Sequence, residues 1–345
     1  MTALDLADLT KSYPDGGAPT VRGLSLSVES GSLTALLGPS GSGKTTVLKL
    51  IAGLLTPDTG DIRLGGRSIR DLPPEGRRVV MVFQNPLLFP HMTVAENVGF
   101  GLRMRDVAPN EVAARSAAML EKVRLVGLGN RRPVELSGGQ QQRAALARAL
   151  VLEPEVLLLD EPLSSLDASL RDEMRALILD LQRETRVTTL VVTHDQTEAV
   201  ILADRIALML DGRLVQHATP EVIYGRPVTL AVARFFGGVN FLPGRAAGGI
   251  FHTSIGPLVL PTGVTDGPGT LTIRPEAVRL GPGREARPAR LVSCTFLGTQ
   301  TRIELDLAGT RLQALTTPEA LRGLAPGQEV GVTLPTAALW VLPEV

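Results

Sequence analysis

The stretch GPSGSGKT, residues 38–45, constrains this chain more than any other segment. It fits the pattern G-x-x-x-x-G-K-[ST] through Gly38, Gly43, Lys44 and Thr45. An apolar run, SLTALLG, precedes it, and an amphipathic one, TTVLKLIAGLL, follows. Strand, glycine loop and helix in that order form the context in which backbone N–H groups wrap a phosphate chain. In such a loop Lys44 reaches the β and γ oxygens and the Thr45 hydroxyl ligates Mg²⁺.

Three further apolar runs end in a group with chemical capability. RVVMVFQ ends at Gln84, VLLLD at Asp160 with Glu161 next, and TTLVVTH at His194. Continuous apolar runs bounded by polar residues suit strands buried on both faces of a parallel sheet. Open α/β sheets bind ligands at the carboxyl ends of their strands, where all four groups would gather. Between the runs, Leu166, Leu170, Met174, Leu177 and Leu181 follow the spacing of one helical face. The stretch from about Pro86 to Val134 reads as a helical insertion. Immediately after it, LSGGQQQRAALARAL offers a second anion-binding helix start, with Ser137 as N-cap and Gly138 and Gly139 leaving the backbone bare.

Asp160, at the end of its run, is placed to hold Mg²⁺, and Glu161 to polarise an attacking water. His194 is placed to sense a γ-phosphate. No comparable setting surrounds His91, His217 or His252, which read as satisfied core histidines. Cys294 is the one cysteine, so an internal disulfide is excluded, and it reads as a small core residue in a reducing compartment. Lys+Arg and Asp+Glu both number 35, so no global charge points to nucleic acid. With no basic-then-apolar leader and no apolar run long enough to span a bilayer, membrane association is expected through a partner.

As a set, these motifs resemble those of the ATP-binding subunits of ABC transporters over about two-thirds of the chain. GPSGSGKTT is similar to the family's phosphate loop, LSGGQ to its signature, VLLLDEP to its Walker B strand with catalytic glutamate, and SSLD to its D-loop. Gln84 matches the Q-loop glutamine, His194 in VVTHDQTEA the switch histidine, and Tyr13 in KSYPDGG the aromatic that stacks on adenine. The resemblance implies ATP held by Tyr13, Gly38, Ser40, Gly41, Gly43, Lys44, Thr45 and Thr46. It also implies Mg²⁺ held by Thr45, Gln84 and Asp160, and catalysis by Glu161, His194 and Gln84. A second copy of the chain would pair head to tail, so that its Ser137, Gly138, Gly139 and Gln140 cap the nucleotide, and Asp167 is implied as a further nucleotide-binding residue.

The remainder resembles importer ATPases that carry a C-terminal transport-associated OB-like (TOBE) domain, with TIRPEAVRL supplying that domain's Arg274-Pro275-Glu276 triplet. The implied fold is an α/β P-loop ATPase domain over residues 1–236, with a helical subdomain at about 86–153. A linker at 237–245 and a small all-β OB-like barrel over 246–345 complete it. Trp340 is expected in the small β core, and Phe89 and Met92 as surface contacts. Implied partners are integral-membrane permease subunits and, indirectly, a solute-binding protein, at the cytoplasmic face of the membrane, with no nucleic acid. The cargo would be a polyamine, ferric iron or an oxyanion such as sulfate. A DNA- or ribosome-directed ABC ATPase would need a long coiled-coil insertion, a second phosphate loop or a basic tail, and the sequence has none. A small-molecule kinase would have no use for LSGGQ, SSLD and His194 together.

Overall fold

The computed structural model describes residues 2–14, 17–283 and 285–344. Its contacts divide the chain into two compact units, Met1–Pro220 and Glu221–Val345.

In the first unit the strands are β1 (Leu4–Lys11), β2 (Val21–Val28), β3 (Leu33–Leu37), β4 (Thr59–Leu64), β5 (Arg67–Ser68), β6 (Val79–Val82), β7 (Val156–Asp160), β8 (Thr188–Thr193), β9 (Arg205–Leu210) and β10 (Arg213–Ala218). Its helices are α1 (Lys44–Ala52), α2 (Val94–Arg103), α3 (Pro109–Lys122), α4 (Gly138–Leu150), α5 (Ala168–Thr185) and α6 (Gln196–Leu202). A six-stranded sheet runs β10-β9-β3-β8-β7-β6, parallel except at the β10 edge. Every residue of β3, β7 and β8 is buried, which is why these strands read as unbroken apolar runs rather than alternating ones. The expected strands therefore form, with their carboxyl ends on one side of the sheet. A second, antiparallel sheet, β2-β1-β4-β5, shares one hydrophobic core with the first and with α1. The helical insertion is present as α2 and α3, leading through a short 3₁₀ turn into α4.

In the second unit α7 (Pro220–Gly225) and α8 (Leu230–Phe235) precede ten strands among the described residues. These are β11 (Asn240–Ala247), β12 (Ile250–Thr253), β13 (Gly256–Val259), β14 (Gly267–Ile273), β15 (Arg279–Leu280), β16 (Arg287–Phe296), β17 (Thr301–Leu307), β18 (Thr310–Thr316), β19 (Glu329–Thr333) and β20 (Trp340–Pro343). They make two five-stranded antiparallel sheets, β13-β12-β11-β14-β20 and β15-β19-β16-β17-β18, around one apolar core, an OB-like arrangement. Asn240 stitches the sheets together: its buried amide donates to Ile273 and Gln313 carbonyls and accepts from Gln313 N.

The linker expected at 237–245 is largely strand β11, and the compact units divide after Pro220 rather than near 236. Its Gly and Pro content conceals a period-two pattern in which Leu242 and Ala246 face the core. Gly244 is required because a Cβ there would meet the His252 carbonyl oxygen at 2.1 Å across the sheet.

Three further expectations are corrected. Cys294 is exposed: the inward alternation of Ala289 and Leu291 on β16 gives way after Leu291, and the last three residues of the strand, Cys294–Phe296, are all exposed. Trp340 is only half-buried, its indole N–H donating to Pro227 O at 2.9 Å and the Arg226 guanidinium lying over its ring. His91 and His252 are exposed rather than in a core, whereas His217 is half-buried and accepts from Arg205.

Candidate functional site

The glycine loop leads from β3 into α1, and its shape is imposed by the backbone. Gly43 caps α1 at φ 98°, in the left-handed region, and a Cβ there would meet Thr20 O at 2.5 Å. Gly38 is pressed against β9, where a Cβ would meet Met209 O at 2.2 Å. The far end of α1 is closed by Arg77, a buried guanidinium that donates to the Leu50 and Ile51 carbonyls. This fixes the helix whose N-terminus faces the pocket.

That pocket, about 270 Å³, is walled by Thr20, Ser40, Gly41, Gly43, Lys44, Thr45, Thr46 and Glu161. Lys44 is 5 % exposed, and its ammonium donates to the Gly38 and Pro39 carbonyls, each at 2.8 Å. Burial lowers its pKa, while the charges of Glu161 and Asp160 raise it. Thr45 Oγ1 donates to Asp160 Oδ1 at 3.2 Å, so the first residue of α1's exposed edge meets the last residue of β7. Asp160 is buried, and desolvation pushes its carboxyl above the usual range against the Thr45 hydrogen bond. Tyr13 is 42 % exposed, with its hydroxyl 3.3 Å from Thr46 Oγ1. Asp15 and Gly16, of the KSYPDGG stretch, lie outside the described residues.

On the neighbouring strand ends, His194 Nδ1 lies 3.0 Å from Glu161 Oε1. Glu161 itself has φ 45° and donates its N–H to Val192 O at 3.0 Å. Behind His194, the buried Glu198 carboxylate accepts from the Thr193 hydroxyl at 2.7 Å, and that hydroxyl accepts from Asp195 N. The exposed Gln84 donates to Ser164 Oγ at 3.0 Å. Asp167 N-caps α5 by accepting from Leu170 N.

Ser137, Gly138, Gly139 and Gln140 are not part of this pocket. Ser137 and Gln140 form a closed capping box at the start of α4. A Cβ on Gly138 would meet nothing within 4 Å, and one on Gly139 only Leu170 at an ordinary 3.5 Å. Neither glycine is demanded by the chain's own packing.

Sequence reasoning omitted Thr20, which walls the pocket through the loop before β2, and Ser42, whose hydroxyl faces Lys44 Nζ at 3.5 Å. It also passed over Ser164. The last two lie inside recognised motifs, so their neighbours were the available signal; nothing local marks Thr20. In the second unit, Arg274 donates to the Tyr224 and Phe236 carbonyls and stacks on the Tyr224 ring, while Glu276 accepts from the Tyr224 hydroxyl. These contacts fasten α7 and α8 to the β domain, and burial with the Glu276 hydrogen bond pushes the Tyr224 pKa up to about 12.

Comparison with known proteins agrees with this architecture. Residues 21–164 match the family model described as ABC transporter, and residues 271–342 the one described as TOBE domain. A spermidine/putrescine import ATP-binding protein of Pseudomonas fluorescens is 42% identical, over 97% of each chain. An Fe(3+) ions import ATP-binding protein of Rhodococcus jostii is 42% identical over 96% of each. Among solved structures, the dimeric post-hydrolysis state of the ATP-binding cassette MJ0796, bound to ADP and Pi, aligns with a TM-score of 0.57 at 32% identity, covering 63% of this chain and 98% of that one. A phosphate loop at one strand end, a glutamate–histidine pair beside it and a separate C-terminal β domain thus have one explanation: the chain belongs to the ABC transporter family, as an ATPase subunit with a C-terminal TOBE domain.

Proposed function

We propose that this chain energises import of a small solute through separate membrane-spanning subunits, binding ATP between two copies of itself. One observation carries the two-copy reading. The phosphate loop walls a pocket with Glu161, whereas the second glycine-rich helix start, Ser137–Gln140, lies outside it and has unobstructed glycines. Backbone donors that lie outside their own subunit's phosphate pocket suit a nucleotide held by the neighbour.

In this reading Tyr13 stacks on adenine, and the loop from Gly38 to Thr46 holds the phosphates. The buried Lys44 ammonium supplies fixed charge where it develops on the γ-phosphoryl oxygens. The Thr45 hydroxyl and the desolvated Asp160 carboxylate, 3.2 Å apart, are hard oxygen donors that fit Mg²⁺ shared with phosphates, with Gln84 the third donor. When bound, that ion neutralises phosphate charge. Glu161 accepts the proton of the water attacking the γ-phosphorus as the bond to the β–γ bridging oxygen breaks. His194, 3.0 Å from Glu161, contacts the γ-phosphate and orients the carboxylate.

Among the described residues no helix is long and apolar enough to cross a membrane. The permease contact is assigned to the segment after Gln84. Leu87 there is 60% exposed at φ 46°, an apolar side chain held outward in a backbone conformation that costs about 1–2 kcal/mol. Phe89 serves that segment from beneath, packed on Phe100 at 4.7 Å with Arg148 over its face, so it is a support rather than a contact. Met92 is half-buried beside it. The subunit is then peripheral, at the cytoplasmic face of the membrane, and its cargo is a polyamine or ferric iron ahead of an oxyanion. Affinity capture of the tagged chain from mildly solubilised host membranes tests this. Recovery of multi-span proteins, with or without a solute-binding protein, supports import; recovery of ribosomal or DNA-associated proteins alone refutes it.

A further inference from the structure

Glu161 is held in a conformation that its own residue type disfavours. Its φ of 45° lies in the left-handed region, and strain of this kind persists only where the surroundings over-determine it. The restraints are visible. Glu161 N donates to Val192 O at 3.0 Å, and its carbonyl accepts from Ser164 N at 3.2 Å and from Ser164 Oγ at 3.0 Å. Ser164 Oγ in turn accepts from Gln84 Nε2 at 3.0 Å. A serine hydroxyl has a single proton. Because that proton goes to the Glu161 carbonyl, the Gln84 amide uses one of the hydroxyl's lone pairs, and both bonds are satisfied at once.

We propose that Ser164 is a positioning residue for hydrolysis: its hydroxyl fixes the strained Glu161 turn and couples the aim of the Glu161 carboxylate to Gln84. The inference rests on the reading of Glu161 as the base. In this proposal the coupling runs from the segment after Gln84 to Glu161. Gln84 lies three residues before the outward-held Leu87, so a partner that displaces this segment draws the amide off Ser164 and leaves the hydroxyl free to rotate. The Glu161 carbonyl then keeps only the longer bond from Ser164 N. A purely architectural serine would be different. It would close the turn after β7, and its removal would lower stability without regard to Gln84.

The test uses the purified full chain. Turnover, KM for ATP, ATP affinity by calorimetry and melting temperature are measured for Ser164→Ala, Ser164→Thr, Gln84→Ala and the Gln84→Ala/Ser164→Ala double variant. Ser164→Ala is expected to lower kcat roughly 10- to 100-fold, the scale of a small misplacement of a reacting group. KM and ATP affinity should stay within about twofold. Ser164→Thr, which keeps the hydroxyl, should restore most of the turnover. The double variant should be no slower than the slower single one, since both changes cut the same chain of bonds. Wild-type kcat in Ser164→Ala, or a double variant whose loss is the product of the two single losses, overturns the proposal. So does a kcat loss matched by an equal loss of ATP affinity. If the wild-type chain fails to hydrolyse ATP, the parent reading falls instead, and the two failures are told apart by that control.

Discussion

Gly138→Ala separates a glycine kept for the fold from one kept for a ligand. An added Cβ at residue 138 meets nothing within 4 Å of its own chain, and Gly138 is the first residue of α4. Alanine exceeds glycine in helix propensity by about 0.5–1 kcal/mol in a helix interior, and by less in a first turn. The variant should therefore melt no lower than wild type, where 1 kcal/mol corresponds to roughly 2–4 °C for a unit of this size. Its own phosphate loop is untouched, so ATP affinity should be unchanged. Hydrolysis should nevertheless fall about 100-fold, near 2.7 kcal/mol of transition-state stabilisation, because the methyl group occupies the approach to the α4 backbone donors. Gly43→Ala supplies the contrast. At φ 98° and 2.5 Å from Thr20 O, it should lose both stability and ATP binding. Calorimetric melting, ATP titration and a phosphate-release assay on the same preparations decide the matter. Undiminished turnover in Gly138→Ala would refute the reasoning, as would a loss of ATP affinity equal to the loss of turnover.

Mixing offers an independent check. Lys44→Ala retains an intact α4 start and Gly138→Ala an intact phosphate loop, so combining two inactive variants should recover part of the wild-type rate; a mixture as inactive as its parts counts against sharing between copies. At the permease face, Leu87→Glu should leave ATP hydrolysis by the isolated chain within about twofold of wild type while abolishing capture of multi-span proteins, because a charge cannot replace a desolvated apolar contact. Unchanged capture would move the docking surface elsewhere. Glu198 bears on pH. Its pKa is raised chiefly by burial, against the Thr193 hydrogen bond, so the folded state holds the proton to a higher pH than the unfolded chain does. The stability it contributes is complete below the ordinary glutamate value and declines as pH rises through the folded pKa. Glu198→Gln should then gain in melting temperature relative to wild type as pH rises from 4 to 8, and a pH-independent difference would exclude this origin.

Much of the candidate site was legible because its residues sit where apolar runs stop. Asp160, Glu161 and His194 follow strands buried on both faces, and a chain of buried strands in a parallel sheet forces their ends together. The β domain was legible only as a class, through the segment TIRPEAVRL, within which β14 ends and β15 lies. What escaped depends on contacts distant in sequence. In the antiparallel sheet of β1, β2, β4 and β5 the alternation of β1 is broken by register shifts, and β1 pairs with partners tens of residues away. Thr20 enters the pocket only because the loop before β2 lies over Gly43. The exposure of Cys294 belongs to the outer end of β16, where the last three residues leave the core, and no local pattern marks that end. The Ser164 bridge depends on where the Gln84 side chain turns, a choice made by the folded site rather than by the motif.

The central claim, that ATP joins two copies of this chain, is tested most directly by light scattering on Glu161→Gln in saturating ATP and Mg²⁺. Removing the proposed base should leave ATP bound and unhydrolysed. The mass should double from the 36.6 kDa of a single chain on nucleotide addition and return to one chain when nucleotide is withdrawn. A mass that stays at one chain while calorimetry shows ATP bound would contradict the account.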